Sequence, residues 1–130
     1  QIGLKIRAQN TCTLLYVMWR IEPVEEILVT IKSNPGKLRH KNCGAQGYLD
    51  IGRIALKDSG ITATTNTTHQ LCARIQEKEG IYSCCVDADD HAIWSGPLDS
   101  NVLGSLNGPV GFRTDNGSFI FKLFVCEDQL

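Results

Sequence analysis

Val110-Gly111-Phe112-Arg113-Thr114-Asp115-Asn116-Gly117-Ser118-Phe119-Ile120-Phe121-Lys122-Leu123-Phe124-Val125 is the stretch that decides the fold class. Two alternating runs, Val110–Thr114 and Ser118–Val125, flank Asn116-Gly117, and Asn-Gly is the strongest short-range hairpin signal because both residues tolerate left-handed backbone. A two-residue turn there sets Val110 opposite Leu123, Phe112 opposite Phe121 and Thr114 opposite Phe119. One face is then apolar, and the other carries Gly111, Arg113, Ile120, Lys122 and Phe124. Turn chemistry and the period-2 pattern select the same register, which predicts a terminal β-hairpin.

The same reading extends upstream. Gln70–Ile75 and Ile81–Asp87 flank Gln76–Gly80 as a hairpin that sets Ile75, Ala73 and Leu71 opposite Ile81, Ser83 and Cys85. Ala92–Trp94 makes a brief strand before the Gly96-Pro97 turn. Near the N-terminus, Ile2–Ala8 alternates loosely. Leu14–Ile21 places Leu15, Val17, Trp19 and Ile21 on one side, and Ile27–Lys32 does the same with Ile27, Val29 and Ile31. A five-residue loop between them pairs Ile21 with Ile27 and Trp19 with Val29, which puts Trp19 in the core. Tyr48–Leu56 reads as a strand broken by Gly52, and Ile61–Thr65 as a short threonine-rich one. No segment sustains a 3.6-residue apolar period. The expectation is a single all-β domain over residues 1–130, an antiparallel sandwich or barrel of about nine short strands.

Composition narrows the function classes. Among 130 residues, Lys and Arg total 13 against 14 for Asp and Glu. That balance lacks the basic excess that nucleic-acid surfaces need. No apolar run reaches the roughly 18 residues of a membrane helix. The six cysteines are even in number and show no zinc-type spacing, which favours three disulfides. Asn66-Thr67-Thr68 and Asn116-Gly117-Ser118 are glycosylation acceptors that fit the same compartment. A chain starting at Gln1 reads as the mature form of a secreted protein.

From His69 onward the order of features resembles the second half of the concanavalin A-like jelly rolls, the superfamily of laminin-G domains, lectins and glucanases. The matching stretches are His69-Gln70-Leu71-Cys72-Ala73-Arg74-Ile75, Val86-Asp87-Ala88-Asp89-Asp90 and Ile93-Trp94-Ser95-Gly96. The closing match is Gly108-Pro109-Val110-Gly111-Phe112-Arg113-Thr114, continuing through Asp115-Asn116-Gly117-Ser118-Phe119-Ile120-Phe121. The resemblance covers nearly half the chain and implies a jelly-roll sandwich used for sugar binding, adhesion or glycoside hydrolysis. In a jelly roll the two ends adjoin, which implies a Cys12–Cys126 pair. The hairpin register sets Cys72 opposite Cys84, leaving Cys43 for Cys85. Six cysteines allow fifteen pairings, and this is one of them.

Candidate chemistry is sparse. The paired carboxylates of a glucanase strand are absent, so no catalytic residue is assigned. Glu25-Glu26 falls in a turn, where solvated charge is the ordinary state. Asp87, Asp89 and Asp90 concentrate hard oxygen ligands in one turn, and calcium is the one cofactor they suggest. Asp is also a favoured turn residue for its own hydrogen bonding. Lys37, Arg39, His40 and Lys41 form a basic loop suited to sulfated glycans or an acidic partner. Trp94, with Asp89, Asp90, His91 and Asn101 around it in sequence, is the natural place for a sugar to stack. The alternative for Trp94 is packing at one rim of the sandwich. Two functions follow from this reading. The first is a secreted lectin-like module binding a glycan or cell-surface glycoprotein. The second is a structural or adhesion subunit, including a homo-oligomer, whose exposed Ile120 and Phe124 are covered by a partner.

Overall fold

The computed structural model describes residues 1–103 and 106–126. Its strands are β1 (Ile2–Ile6), β2 (Leu14–Arg20), β3 (Glu26–Lys32), β4 (Tyr48–Ala55), β5 (Leu71–Lys78), β6 (Ile81–Ala88), β7 (His91–Leu98) and β8 (Gly111–Thr114). Two single-turn helices, α1 (His40–Cys43) and α2 (Ser100–Leu103), lie between β3 and β4 and between β7 and β8. The strands form two antiparallel sheets, ordered β4-β3-β2-β1-β8 and β5-β6-β7. These ladders establish the all-β, disulfide-stapled sandwich. The jelly-roll winding is a finer expectation that they do not define.

Alternation decides which residues face inward. Leu15, Val17 and Trp19 on β2 and Ile27, Val29 and Ile31 on β3 turn the same way and pack with Cys84, Val86 and Ala88 of β6. Trp19 is buried, as expected of a core residue, and its indole N–H donates to Glu25 Oε1 at 3.1 Å. The β2–β3 register differs from expectation by two residues, pairing Trp19 with Ile27 and Val17 with Val29. An even slip leaves each side chain on its expected face, so the core is unchanged. Glu25 and Glu26 are not freely solvated. Glu25 also accepts from the Ala63 backbone N–H at 2.6 Å. Glu26 is buried and paired with Arg20 and with Arg53. Residues 61–64 lie outside any ladder, so the expected threonine-rich strand does not form there, and Ala63 is tied to Glu25 instead.

The β5–β6 hairpin departs by an odd number. Glu79 and Gly80 both have positive φ and make the two-residue turn, so Lys78 pairs with Ile81, Ile75 with Cys84 and Cys72 with Asp87. An odd slip exchanges faces, sending Cys84 into the core and Cys85 to the outer surface. Cys72 and Cys84 therefore never meet. The bonds formed are Cys12–Cys43 and Cys72–Cys126, with Cα separations of 5.8 and 6.2 Å. Cys84 and Cys85 are free thiols. The expected Cys12–Cys126 and Cys43–Cys85 bridges fail for a related reason: the α1 loop returns Cys43 to Cys12, and the C-terminal segment runs to the β5 edge.

The C-terminal hairpin is only half realised. Phe112 does meet Phe121, with ring centroids 3.7 Å apart, but residues 118–126 form no ladder with β8. Asn116 has positive φ and Gly117 does not, so the type I′ turn, which needs both, is not made. β8 instead pairs with β1, setting Leu4 against Phe112 and Ile2 against Thr114. The segment beyond the turn then crosses to the second sheet, where Cys126 is held by Cys72.

Burial pushes the Cys84 thiol up to about 12, with the neighbouring Cys85 adding to the effect. Native protein should therefore release one equivalent of thiol to an aromatic disulfide reagent, from Cys85, and two after unfolding. The same shift means that Cys84 contributes stability that is complete below the unfolded thiol value near 9 and is lost as pH rises toward 12. Two rapidly reacting thiols in native protein would contradict this placement.

Candidate functional site

The free edges of the two sheets meet across the gap that a paired C-terminal strand would have closed. Ile2, Leu4 and Phe112 form one wall, His69 and Leu71 the other, and residues 120–124 the cover. The cleft between them has a volume of about 620 Å³. Its floor includes Trp19, so the core tryptophan is reached from outside here.

The polar end of the cleft is built by the β6–β7 turn. Asp89 and Asp90 occupy left-handed conformations, which aspartate tolerates better than most side chains. This turn orients Asp89 so that Oδ2 lies 2.8 Å from His69 Nδ1 and Oδ1 accepts the Gln70 backbone N–H at 2.8 Å. His69 Nε2 lies 2.8 Å from Thr67 Oγ1, and the imidazole edge rests on Trp19 at a centroid distance of 5.4 Å. The order hydroxyl, imidazole, carboxylate resembles a nucleophile relay. The Thr67 hydroxyl, however, donates to the Thr64 carbonyl at 2.5 Å. Its proton is committed there, and the chain of bonds serves to tie residues 64–70 to the β6–β7 turn. Sequence reasoning missed His69, since it stands 20 residues from Asp89 and only the hairpin brings the two together.

The residues expected around one sugar do not converge. Asp89, Asp90 and His91 lie at the start of β7, with His91 Nδ1 donating to the Asp89 carbonyl at 2.8 Å. Asn101 lies in α2, beyond the far end of that eight-residue strand, which spans about 23 Å from His91 to Leu98 at the usual rise per residue. Trp94 pairs with Val86 and so faces inward. A Cβ built on Gly52 or Gly96 would fall 2.8 or 2.4 Å from its ring, so both glycines make room for the indole. Trp94 is half-buried in this position. A glycine on each of two facing strands was the available signal.

The three expected calcium ligands are likewise divided. Asp87 points to the outer face and pairs with Arg74 at 2.8 Å, Asp89 binds His69, and Asp90 is exposed in the turn. Among the described residues no group of three or more His, Cys, Asp or Glu side chains could hold a metal ion. Both sequon asparagines, Asn66 and Asn116, are exposed at positive φ. Among the described residues no helix is long and apolar enough to cross a membrane.

If the Asp89 bonds hold the polar end of the cleft, Asp89→Ala should lower stability by about 2 kcal/mol in urea unfolding. Asp89→Gly, which relieves the left-handed backbone but not the lost bonds, should recover about half of that. Wild-type stability in both variants would remove this role from Asp89. Comparison with protein-family models, curated proteins and solved structures found nothing that matches this chain.

Proposed function

We propose that this chain is an extracellular adhesion or structural module that works by protein–protein contact, and that its first partner is a second copy of itself. The observation that carries this is the concentration of exposed apolar surface along one edge. Val110, Phe112, Ile120, Phe121, Leu123, Phe124 and Val125 are all exposed, and Ile120 is fully so. Apolar side chains gathered this densely on one edge mark a surface made to be covered. Among the described residues the adjoining strand β8 pairs with β1 alone, so its other edge offers unpaired backbone groups to an incoming strand. Two disulfides in a small β domain fit an oxidising compartment. The resemblance to laminin-G-type jelly rolls points the same way, since adhesion is one of the uses it implies. The lectin reading at Trp94 is the weaker of the two, because its residues occupy separate places and its aromatic ring is packed between glycines.

Sedimentation over a concentration series tests this directly. The native protein should show a concentration-dependent dimer, and Ile120→Lys or Phe124→Lys should weaken it at least about tenfold through charge placed in an apolar contact. Trp94→Ala should leave association intact while lowering stability by about 2–4 kcal/mol, since it empties space between the sheets. A monomer at every concentration, or lysine variants that associate like wild type, would overturn self-association.

A further inference from the structure

The outer face of the five-stranded sheet carries a second cluster, whose central side chains, Lys32, Tyr48 and Tyr16, belong neither to the cleft nor to the apolar edge. Ladder pairing places Tyr48, Lys32 and Leu14 in one row across β4, β3 and β2, with Tyr16 in the next row. Gly3 and Gly111 lie on the same face of β1 and β8. A Cβ at Gly3 would fall 2.1 Å from the Val17 carbonyl oxygen and 2.8 Å from Met18 Sδ, so that position must stay bare. Across this low ground Arg113 extends over the Tyr16 ring at 5.1 Å, while Tyr16 and Tyr48 stack at 6.2 Å.

Lys32 is the anomaly. It is 1% exposed, and its ammonium donates to the Gly44 carbonyl at 2.6 Å and sits 4.8 Å from the centre of the Tyr48 ring. Among the described residues no carboxylate forms an ion pair with it. A buried ammonium has three protons to place and strongly favours a counter-charge. Burial alone would push the Tyr48 phenol up, but hydrogen bonding by Arg113 and the charge of Lys32 outweigh it and hold the phenol below its ordinary value. The potential at this hydroxyl is therefore positive. Tyr48 and Arg113 remain partly open to solvent above the buried lysine, Arg113 pairing through Nε with Asp115 at 2.9 Å and keeping its other guanidinium nitrogens clear of that carboxylate contact. Beside them, the loop whose Gly44 accepts from Lys32 exposes Lys37, Arg39, His40 and Lys41.

We propose that Tyr48 and Arg113, standing over the buried charge of Lys32, form an oxyanion site that receives a sulfate ester of a linear acidic glycan, with the basic loop from Lys37 to Lys41 following the rest of the chain. Phenol and guanidinium supply open donors for a tetrahedral oxyanion, the buried ammonium adds its charge from beneath the Tyr48 ring, and a spaced row of cations matches a linear polyanion. The site lies on the outer sheet face, but Arg113 belongs to the edge strand β8, so sedimentation of Arg113→Gln and Tyr48→Phe separates lost sulfate binding from lost self-association.

The test is titration of the intact protein with sodium sulfate, followed by tyrosine difference absorbance, and then calorimetry with a sulfated uronate oligosaccharide and its desulfated counterpart. Sulfate should perturb the tyrosine spectrum, and the sulfated oligosaccharide should bind at least about tenfold more tightly than the desulfated one. Tyr48→Phe and Arg113→Gln should each lose about tenfold in affinity, more than Lys37→Gln or Lys41→Gln. Tyr48→Phe removes only a hydroxyl and keeps the ring over Lys32, so it separates lost binding from lost folding. Equal binding of the desulfated chain would overturn the sulfate assignment. Unchanged binding in Tyr48→Phe and Arg113→Gln, with losses only in the loop variants, would reduce the effect to an ordinary charged patch and overturn the site.

Discussion

Burial of two apolar strand faces against a third is the interaction on which this structure depends. Leu15, Val17 and Trp19 of β2 and Ile27, Val29 and Ile31 of β3 close on Cys84, Val86 and Ala88 of β6. Each such side chain removed from water contributes about 1.5–3 kcal/mol, and together they hold the two sheets face to face. The glycines at 52 and 96 belong to the same arrangement, because the Trp94 indole enters between the sheets only where no Cβ stands.

The sandwich is closed incompletely, and that incompleteness is where binding surface arises. β8 attaches to β1, while the segment after it leaves the five-stranded sheet and is fixed to β5 by the Cys72–Cys126 bond. A chain stretched between two sheet edges cannot satisfy both ladders, so its apolar residues stay exposed and a cleft opens beneath them. The His69–Asp89 contact and the Asp89–Gln70 bond stiffen the polar end of that cleft. The adhesion proposed for this edge requires no further rearrangement of the core.

The outer face of the five-stranded sheet follows a different rule. Leu14, Tyr16 and Met18 are buried there beneath long side chains rather than beneath another sheet. Lys32 is enclosed as part of that cover, and Arg113 and the tyrosines gather around it. A surface built this way places fixed cations next to aromatic rings in a partly dehydrated setting, where electrostatic interactions are stronger than in bulk water.

What the sequence determined by itself was local and periodic. Alternation in Leu14–Ile21 and Ile27–Lys32 was sufficient for the inner faces and for Trp19 in the core, and the absence of helical period was sufficient for the all-β class. Those features depend on side-chain direction along one strand, which is legible in one dimension. Tertiary structure decided everything that turned on a count of residues between strands. Moving the β5–β6 turn to Glu79-Gly80 shifted the register by an odd number and so reassigned Cys72, Cys84 and Cys85. Asn116-Gly117 carried the right turn residues, yet the ladder with β1 and the bond to Cys72 took the two halves of that hairpin to different sheets. Nearness in sequence had grouped Asn101 with Trp94 and His91, but an extended strand carries neighbours apart at about 3.3 Å per residue. His69 and Asp89 meet only because the β5–β6 hairpin folds back on itself, and Tyr48 and Arg113, far apart in the chain, meet only through pairing of distant strands.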